Sequence, residues 1–253
     1  MYNEKKCTLC GTCYRNCPKK AIIIESSKLK IKREMCIKCR QCAENCPADA
    51  IFFSGEKKSI SDIMKIVLRD KEYYDTSAGG VTVSGGEPFV QFEVLYSLLL
   101  ECRKNNIHTA IETAGDVQWN EMERTISLVD LFLFDLKHID PEEIVKVTKG
   151  NGYNIQSNLQ KLAQVDASKI ILRIPIIPGF NYKEEVIKEM ISFAEKLNIS
   201  EVNLLPYHTL GKFKYEQLGK VYPMDGASML DKKELQKYVD MYRHHKIKVK
   251  IGG

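Results

Sequence analysis

No run of about 18 apolar residues occurs anywhere in the 253-residue chain, which argues against a membrane-spanning helix and leaves no membrane partner expected. The opening residues carry no short apolar core followed by small residues, so a secretory signal is not expected there. Most of the chain also lacks an excess of either charge: residues 54–253 hold 27 Lys+Arg against 28 Asp+Glu, net −1. The basic excess is confined to residues 1–53, where 11 Lys+Arg face 5 Asp+Glu, net +6. No recognised motif and no basic aromatic platform accompanies that excess, so nucleic acid is not an expected partner. What remains is ordinary for a globular protein: 44% hydrophobic residues and enough length for one large α/β domain plus a small insert.

Cysteine is where the composition departs from the ordinary. Eight of the nine fall into two copies of one pattern, Cys7-x2-Cys10-x2-Cys13-x3-Cys17-Pro18 and Cys36-x2-Cys39-x2-Cys42-x3-Cys46-Pro47, offset by 29 residues. This is the bacterial two-cluster ferredoxin spacing, in which three closely spaced thiolates wrap one [4Fe–4S] cluster and the cysteine before proline reaches across to the other. It assigns Cys7, Cys10, Cys13 and Cys46 to one cluster, and Cys36, Cys39, Cys42 and Cys17 to the second. The repeat continues past the ligands, with Pro18-Lys19-Lys20-Ala21-Ile22 matched by Pro47-Ala48-Asp49-Ala50-Ile51, as duplication of one supersecondary unit would leave it. A disulfide framework suits small secreted chains, and zinc motifs rarely carry the x2, x2, x3, Pro order, so both are weaker readings. Two oxidised clusters would each bring about −2 with their thiolates, offsetting most of the local positive charge. Thiolate-bound clusters need a reducing compartment, so a cytoplasmic protein of an anaerobe is expected.

After Phe52-Phe53-Ser54-Gly55 the periodicity changes. Ser59-Ile60-Ser61-Asp62 reads as a helix start, with the helix running to about residue 69. Beyond it, short apolar segments alternate with amphipathic ones, the mark of a mainly parallel sheet. Strands are expected at 80–84, 107–112, 131–136, 169–177, 201–205 and 246–251, with helices near 90–105, 119–128, 141–163, 183–197 and 231–244. The expected domains are therefore a cluster module over 1–55 and a barrel over 56–253. Polar and glycine-rich segments gather at the carboxyl ends of successive strands: Gly85-Gly86-Glu87-Pro88, Glu112-Thr113-Ala114-Gly115, Asp135-Leu136-Lys137-His138, Arg173 ahead of Pro178-Gly179, and Pro206-Tyr207-His208. In parallel α/β barrels that rim builds the active site. Singly, Asp135 with Lys137 reads as a surface ion pair, His208 as a packed loop histidine and Arg173 as a cap. Recurrence over five strands is what points to a shared concave site.

These segments, in this order, resemble the glycyl-radical enzyme activating enzymes of the radical S-adenosylmethionine (SAM) class, in the branch with a two-cluster ferredoxin insert. The resemblance runs from about Lys6 to the end. It is carried by Gly79-Gly80-Val81-Thr82-Val83-Ser84-Gly85-Gly86-Glu87-Pro88, by the stretch from Asp130 to His138, by Arg173 to Asn181, and by Leu204 to Tyr215. It implies a partial (β/α)6 radical SAM barrel with an N-terminal ferredoxin-like α+β module. It implies SAM binding across the strand ends, with Gly85, Gly86 and Glu87 at the methionine amino end and Asp135, Leu136, Lys137, Arg173 and His208 as further contacts. Carboxylate acceptors suit an ammonium group, Lys and Arg suit a carboxylate, and glycines allow close approach. By the same likeness Glu112 would hold a monovalent cation near SAM. In such enzymes a cluster gives SAM one electron, and the resulting 5′-deoxyadenosyl radical takes hydrogen from a glycine of the partner, a glycyl-radical enzyme; no acid–base pair is expected as catalyst. A flavodoxin or ferredoxin is the implied electron donor, and the insert either relays electrons or helps to dock the partner.

The sequence departs from the family at one point. SAM cleavage needs a third cluster on Cys-x3-Cys-x2-Cys, which leaves one iron open, and no such motif occurs: the positions that would complete it are Lys20 and Asp49. The ninth cysteine, Cys102, is expected to be a buried free thiol in an apolar helix. In relatives the missing motif and the first barrel strand precede the insert, so the expectation is a barrel without its first strand and an unpaired edge beside strand 80–84. A truncated gene or misplaced start, a split enzyme, and a two-cluster electron-transfer or scaffold protein without radical chemistry are the alternatives. On the first two the chain is most of an activase, inactive alone.

Overall fold

A computed structural model of the chain describes residues 1–252, and these separate into two compact units. One comprises Met1–Lys57 together with His208–Ser228; the other comprises Lys58–Tyr207 and the segment from Met229 onward. The first boundary falls two residues beyond the expected 55/56. The expected division did not contain the return of 208–228 to the cysteine-bearing unit.

That unit is built twice over. The first copy has a 3-10 turn Glu4–Lys6 and a one-turn helix Thr12–Arg15, and the second repeats them 29 residues later as Arg33–Met35 and Gln41–Glu44. Left-handed backbone recurs at matching places, Leu9 with Lys38, Gly11 with Arg40, and Lys20 with Asp49. Strands β1 (Ile22–Glu25) and β2 (Lys28–Ile31) form an antiparallel hairpin across Ser26 and Ser27, both at positive φ as a two-residue turn of this hand requires. Ile22 faces Ile31, and the bridge between Tyr2 and Ile51 is its counterpart in the repeat. Lys32 N–H donates to Ala21 O at 2.7 Å and Asn3 N–H to Ala50 O at 2.8 Å, again equivalent bonds. Ile22, Leu29, Ile51 and Cys13 close a small core. The segment 208–228 joins the unit through its helix Lys212–Leu218: Tyr2 N–H donates to Gln217 O at 3.0 Å and Arg33 Nε to Leu218 O at 3.2 Å.

The second unit is a sheet of six parallel strands in sequential order: β3 (Gly80–Val83), β4 (His108–Thr113), β5 (Leu131–Asp135), β6 (Ile170–Ile176), β7 (Glu201–Pro206) and β8 (Lys248–Ile251). All six expected strands are present within one or two residues of the expected bounds. Helices Phe92–Lys104, Trp119–Thr125, Pro141–Thr148, Gly152–Asp166, Glu184–Lys196 and Lys232–Met241 alternate with them. This is the open β/α barrel architecture, and β3 is an edge of the sheet among the described residues. The expected helix 141–163 is two helices, because Lys149 turns left-handed and Asn151 caps the next helix by accepting from Asn154 N–H. A further helix, Lys71–Ser77, precedes β3. Phe132, Phe134, Leu172, Ile174, Val202 and Leu204 all belong to the main core, on the sheet face opposite that of Asp135, Arg173 and Asn203. No helix among the described residues is long and apolar enough to cross a membrane.

Candidate functional site: two cysteine cavities and a charged strand-end rim

The duplicated turns bring the eight cysteines into two sets. Cys17, Cys36, Cys39 and Cys42 line one cavity of about 290 Å³. Cys7, Cys10, Cys13 and Cys46 line a second, tighter one of about 20 Å³. These are the sets that the spacing pairs across the repeat. Burial pushes the Cys13 thiol up, and Cys46 and Cys7 add to it; burial also pushes up Cys42, with Cys36, Cys39 and Cys17 adding. Each pre-proline cysteine accepts a matched backbone bond at 3.2 Å, from Ala21 N–H to Cys17 Sγ and from Ala50 N–H to Cys46 Sγ. Such bonds favour thiolate and orient it toward iron. Among the described residues no three His, Cys, Asp or Glu side chains converge on a single-ion site. A four-iron cluster asks for something else, since each thiolate binds a different iron and the four stand apart around a cavity. The donor sets therefore fit [4Fe–4S] clusters and not a mononuclear metal. Cys102 lies apart from both, fully buried with Met64, Val67, Leu98 and Ile107, and burial pushes its thiol up.

In the sheet unit the charged groups meet through strand register. Asp135 lies opposite Arg173, Arg173 opposite Asn203, and Asn203 opposite Lys250, one row across four strands. Arg173 Nη1 is 2.9 Å from Glu112 Oε1, and its Nε is 3.3 Å from Asp135 Oδ1. Ser84 Oγ donates to Glu112 Oε2 at 2.7 Å, tying the end of β3 to β4. Burial pushes the Asp135 carboxyl above its ordinary range; Arg173 and Lys137 pull it back, while Glu112 and Glu87 push it further up. Asp135 Oδ1 and Arg173 Nε are close but not aligned, so each is a buried polar atom without a hydrogen-bond partner among the described residues. Asn203 Oδ1 is in the same position. Next to this row, a Cβ built on Gly85 or Gly86 meets nothing within 4 Å, and Gly85 has φ +140°, where side chains are strained. Buried unaligned polar atoms beside an open glycine shelf fit the ammonium and carboxylate of the methionine end of SAM.

Not every expected contact faces this shelf. Both oxygens of Glu87 are engaged, accepting from Thr113 Oγ1 at 2.9 Å and Ala114 N–H at 3.0 Å, so Glu87 braces the 85–88 turn against the end of β4. Leu136 is fully buried in the core, and its N–H donates to Arg173 O at 2.9 Å, so neither its side chain nor its N–H is open to a ligand. Lys137 is half-buried and its carbonyl accepts from Asn181 Nδ2 at 2.7 Å. His208 is exposed and is the first residue of the segment grouped with the cysteine-bearing unit. Two residues were missed by sequence reasoning. Asn181, fully buried, also donates to Pro175 O and accepts from Ile177 N–H, fixing the loop after β6. Asn203 was readable as the one polar residue inside the apolar run Val202–Leu205, a signal passed over.

Comparison with known proteins agrees with this geometry. A model of the radical SAM superfamily matches residues 37–191, and a model of the 4Fe-4S dicluster domain matches residues 1–47. The trans-4-hydroxy-L-proline dehydratase activating enzyme of Clostridioides difficile is 36% identical over 256 residues, covering 100% of this chain and 84% of that one. The 4-hydroxyphenylacetate decarboxylase activating enzyme of Clostridioides difficile (strain 630) is 37% identical over 195 residues, 77% of this chain and 61% of that one. Among solved structures, a domain of the pyruvate-formate lyase-activating enzyme from Bacteroides vulgatus superposes with a TM-score of 0.57 at 28% identity, over 69% of this chain and 99% of that one. The β/α alternation is thus a radical SAM domain, and the chain belongs to that superfamily. Within it the chain is one of the glycyl-radical enzyme activating enzymes, oxidoreductases that use SAM and iron–sulfur clusters.

Proposed function

We propose that the strand-end rim of β3 to β7 holds SAM by its methionine end and that the two cysteine sets each hold one [4Fe–4S] cluster, so that the chain serves the activation of a glycyl-radical enzyme. The observation that carries the reading is the ion-paired Glu112–Arg173–Asp135 group beside the open shelf of Gly85 and Gly86. When bound, SAM and a reducing cluster supply a 5′-deoxyadenosyl radical that takes hydrogen from a glycine of the partner. The chain's own residues have simpler tasks. Asp135 accepts from the ammonium group, and Arg173, fixed between two carboxylates, turns its remaining donors to the carboxylate of the ligand. Gly85 and Gly86 allow the backbone to approach, and Glu87 and Asn181 hold the flanking loops. Ser84 holds Glu112 in place, and Glu112 is the candidate ligand for a monovalent cation.

A cluster with an open iron would need three thiolates in a Cys-x3-Cys-x2-Cys spacing that these 253 residues do not contain. The eight cysteines would hold two clusters able to supply one-electron transfer, with a flavodoxin or ferredoxin as the donor, in a reducing, cytoplasmic compartment. The cluster module comprises Met1–Lys57 with His208–Ser228, and the barrel comprises Lys58–Tyr207 with the segment from Met229 onward.

The test is SAM binding to the anaerobically reconstituted chain by titration calorimetry, alongside Asp135→Asn and Gly86→Val. Saturable binding weakened at least tenfold in both variants is the expected result. Two reducible clusters with no SAM binding in the unaltered chain would leave electron transfer alone as its activity.

A further inference from the structure

Resting on the cluster reading above, we propose that the two clusters are electrostatically unequal: the one on Cys17, Cys36, Cys39 and Cys42 has the higher reduction potential and takes the first electron. The two copies are each other's control. Four cationic side chains line the larger cavity: Lys19, Arg33, Lys38 and Arg40. Their counterparts 29 residues away in the repeat are Ala48, Glu4, Leu9 and Gly11, and none is a cation. Ala48, Leu9 and Gly11 line the tighter cavity, whose lining holds no charged side chain. Glu4 is turned elsewhere, 3.3 Å from Lys28.

Two of the four cations are held in place. Arg33 is tied by its Nε to Leu218 O at 3.2 Å, and the Arg40 guanidinium sits 5.0 Å from the ring centre of Phe53, itself part of the lining. Lys38 and Arg40 keep the left-handed backbone that Leu9 and Gly11 have in the first copy, at φ 57° and 69° against 56° and 73°. The turn geometry that wraps the cluster is therefore the same while its charge differs.

Adding one electron to a [4Fe–4S] cluster makes it one unit more negative. Fixed positive charge nearby favours that step, and local charge, hydrogen bonds to sulfur and exposure are the levers that set such potentials. Three features act in the opposite sense, one of them the contact between Thr12 Oγ1 and Cys10 Sγ at 3.4 Å. Arg15 Nη2 donates to Cys10 O at 3.2 Å, placing one cation beside the tighter cavity, and Leu9 N–H donates to Cys7 Sγ at 3.4 Å. Against these stand four lining cations. The pre-proline bonds to Cys17 and Cys46 are equal at 3.2 Å and cancel, as do the exposed ligands Cys10 and Cys39, while Cys13 is buried and its counterpart Cys42 only half-buried.

The experiment is a redox titration of the anaerobically reconstituted chain followed by electron paramagnetic resonance. Dithionite is the reductant, itself oxidised to sulfite while each cluster gains one electron, and iron analysis is made on every sample. Two steps separated by at least a tenfold difference in reduction equilibrium are expected, about 59 mV for a one-electron couple. Lys19→Gln with Lys38→Gln and Arg40→Gln should lower the upper step and leave the lower one in place. The reverse transplant, Leu9→Lys with Ala48→Lys, should raise the lower step, and it keeps the inference testable if the first variant loses a cluster. Coincident steps with full iron content, or neutralisation that moves both steps equally, would overturn the inference while leaving the cluster assignment intact. Failure of the unaltered chain to assemble two clusters would overturn both.

Discussion

The two units solve the same problem, bringing reactive groups together, at different ranges of sequence. In the cysteine-bearing unit three of each four ligands lie within seven consecutive residues, and only the fourth comes from the other copy. In the sheet unit Glu112, Asp135 and Arg173 lie on three different strands: the register sets Asp135 beside Arg173, and the Arg173 side chain reaches Glu112, which pairs with Leu133 two residues earlier. A spacing rule suffices for the first arrangement. The second exists only once a sheet has formed, so its chemistry inherits the stability of the core behind it.

That contrast can be broken most severely in the cysteine unit. Replacing Cys42 with Ser removes one ligand of a four-thiolate set, and iron analysis should show about half the iron lost while the sheet unit keeps its circular dichroism. Retention of all the iron would mean that the ligand set is misread. In the sheet unit a comparably severe backbone test is Gly115→Ala. Gly115 has φ +75° and a Cβ there would run into the Phe134 ring at Cζ, so urea unfolding should show a loss of about 3 kcal/mol. Gly86→Ala is the matched control: its Cβ meets nothing within 4 Å, and stability should change by no more than about 0.5 kcal/mol while SAM affinity falls.

Arg173→Met should destabilise by about 3 kcal/mol, because it leaves two half-buried carboxylates, Glu112 and Asp135, without their shared cation. The pH dependence has a definite sign. Burial raises the folded-state pKa of Asp135, so its contribution to stability is fully present below the ordinary carboxylate pKa and is lost as pH rises through the raised value. Without Arg173 that rise is larger, and the deficit of the variant should grow from acid to neutral pH. A deficit constant with pH would show that Arg173 acts by packing alone. The smallest effect is expected at Glu184, whose carboxyl is pulled down to about 2 by hydrogen bonds and charge from Lys188 and Lys237. Its contribution is present above the ordinary carboxylate pKa and is lost as pH falls from there through about 2. The side chain is half-buried but its ion pairs are open to solvent, so Glu184→Gln should alter thermal stability only slightly, and high salt should erase the difference.

What could be read from the sequence follows the same division. The cysteine sets and the strand positions were legible because both rest on local periodicity, a ligand spacing in one case and apolar runs in the other. The break of the expected helix 141–163 was marked by Gly150 and Asn151 but hidden by the apolar pattern on either side. The places of Glu87 and Leu136 were not legible: which way a strand-end residue points depends on register, and here it turns Glu87 to Thr113 and Leu136 into the core. The return of 208–228 to the cysteine unit was beyond sequence reasoning, since it depends on backbone bonds such as Tyr2 N–H to Gln217 O, more than 200 residues apart.

The most direct measurement is a crystal structure of the anaerobically reconstituted chain grown with SAM. The methionine end should lie against Gly85 and Gly86 with Asp135 and Arg173 in hydrogen-bond reach, and one [4Fe–4S] cluster should sit on each cross-paired cysteine set. SAM bound away from this rim, or clusters held by cysteines of one copy alone, would contradict the account.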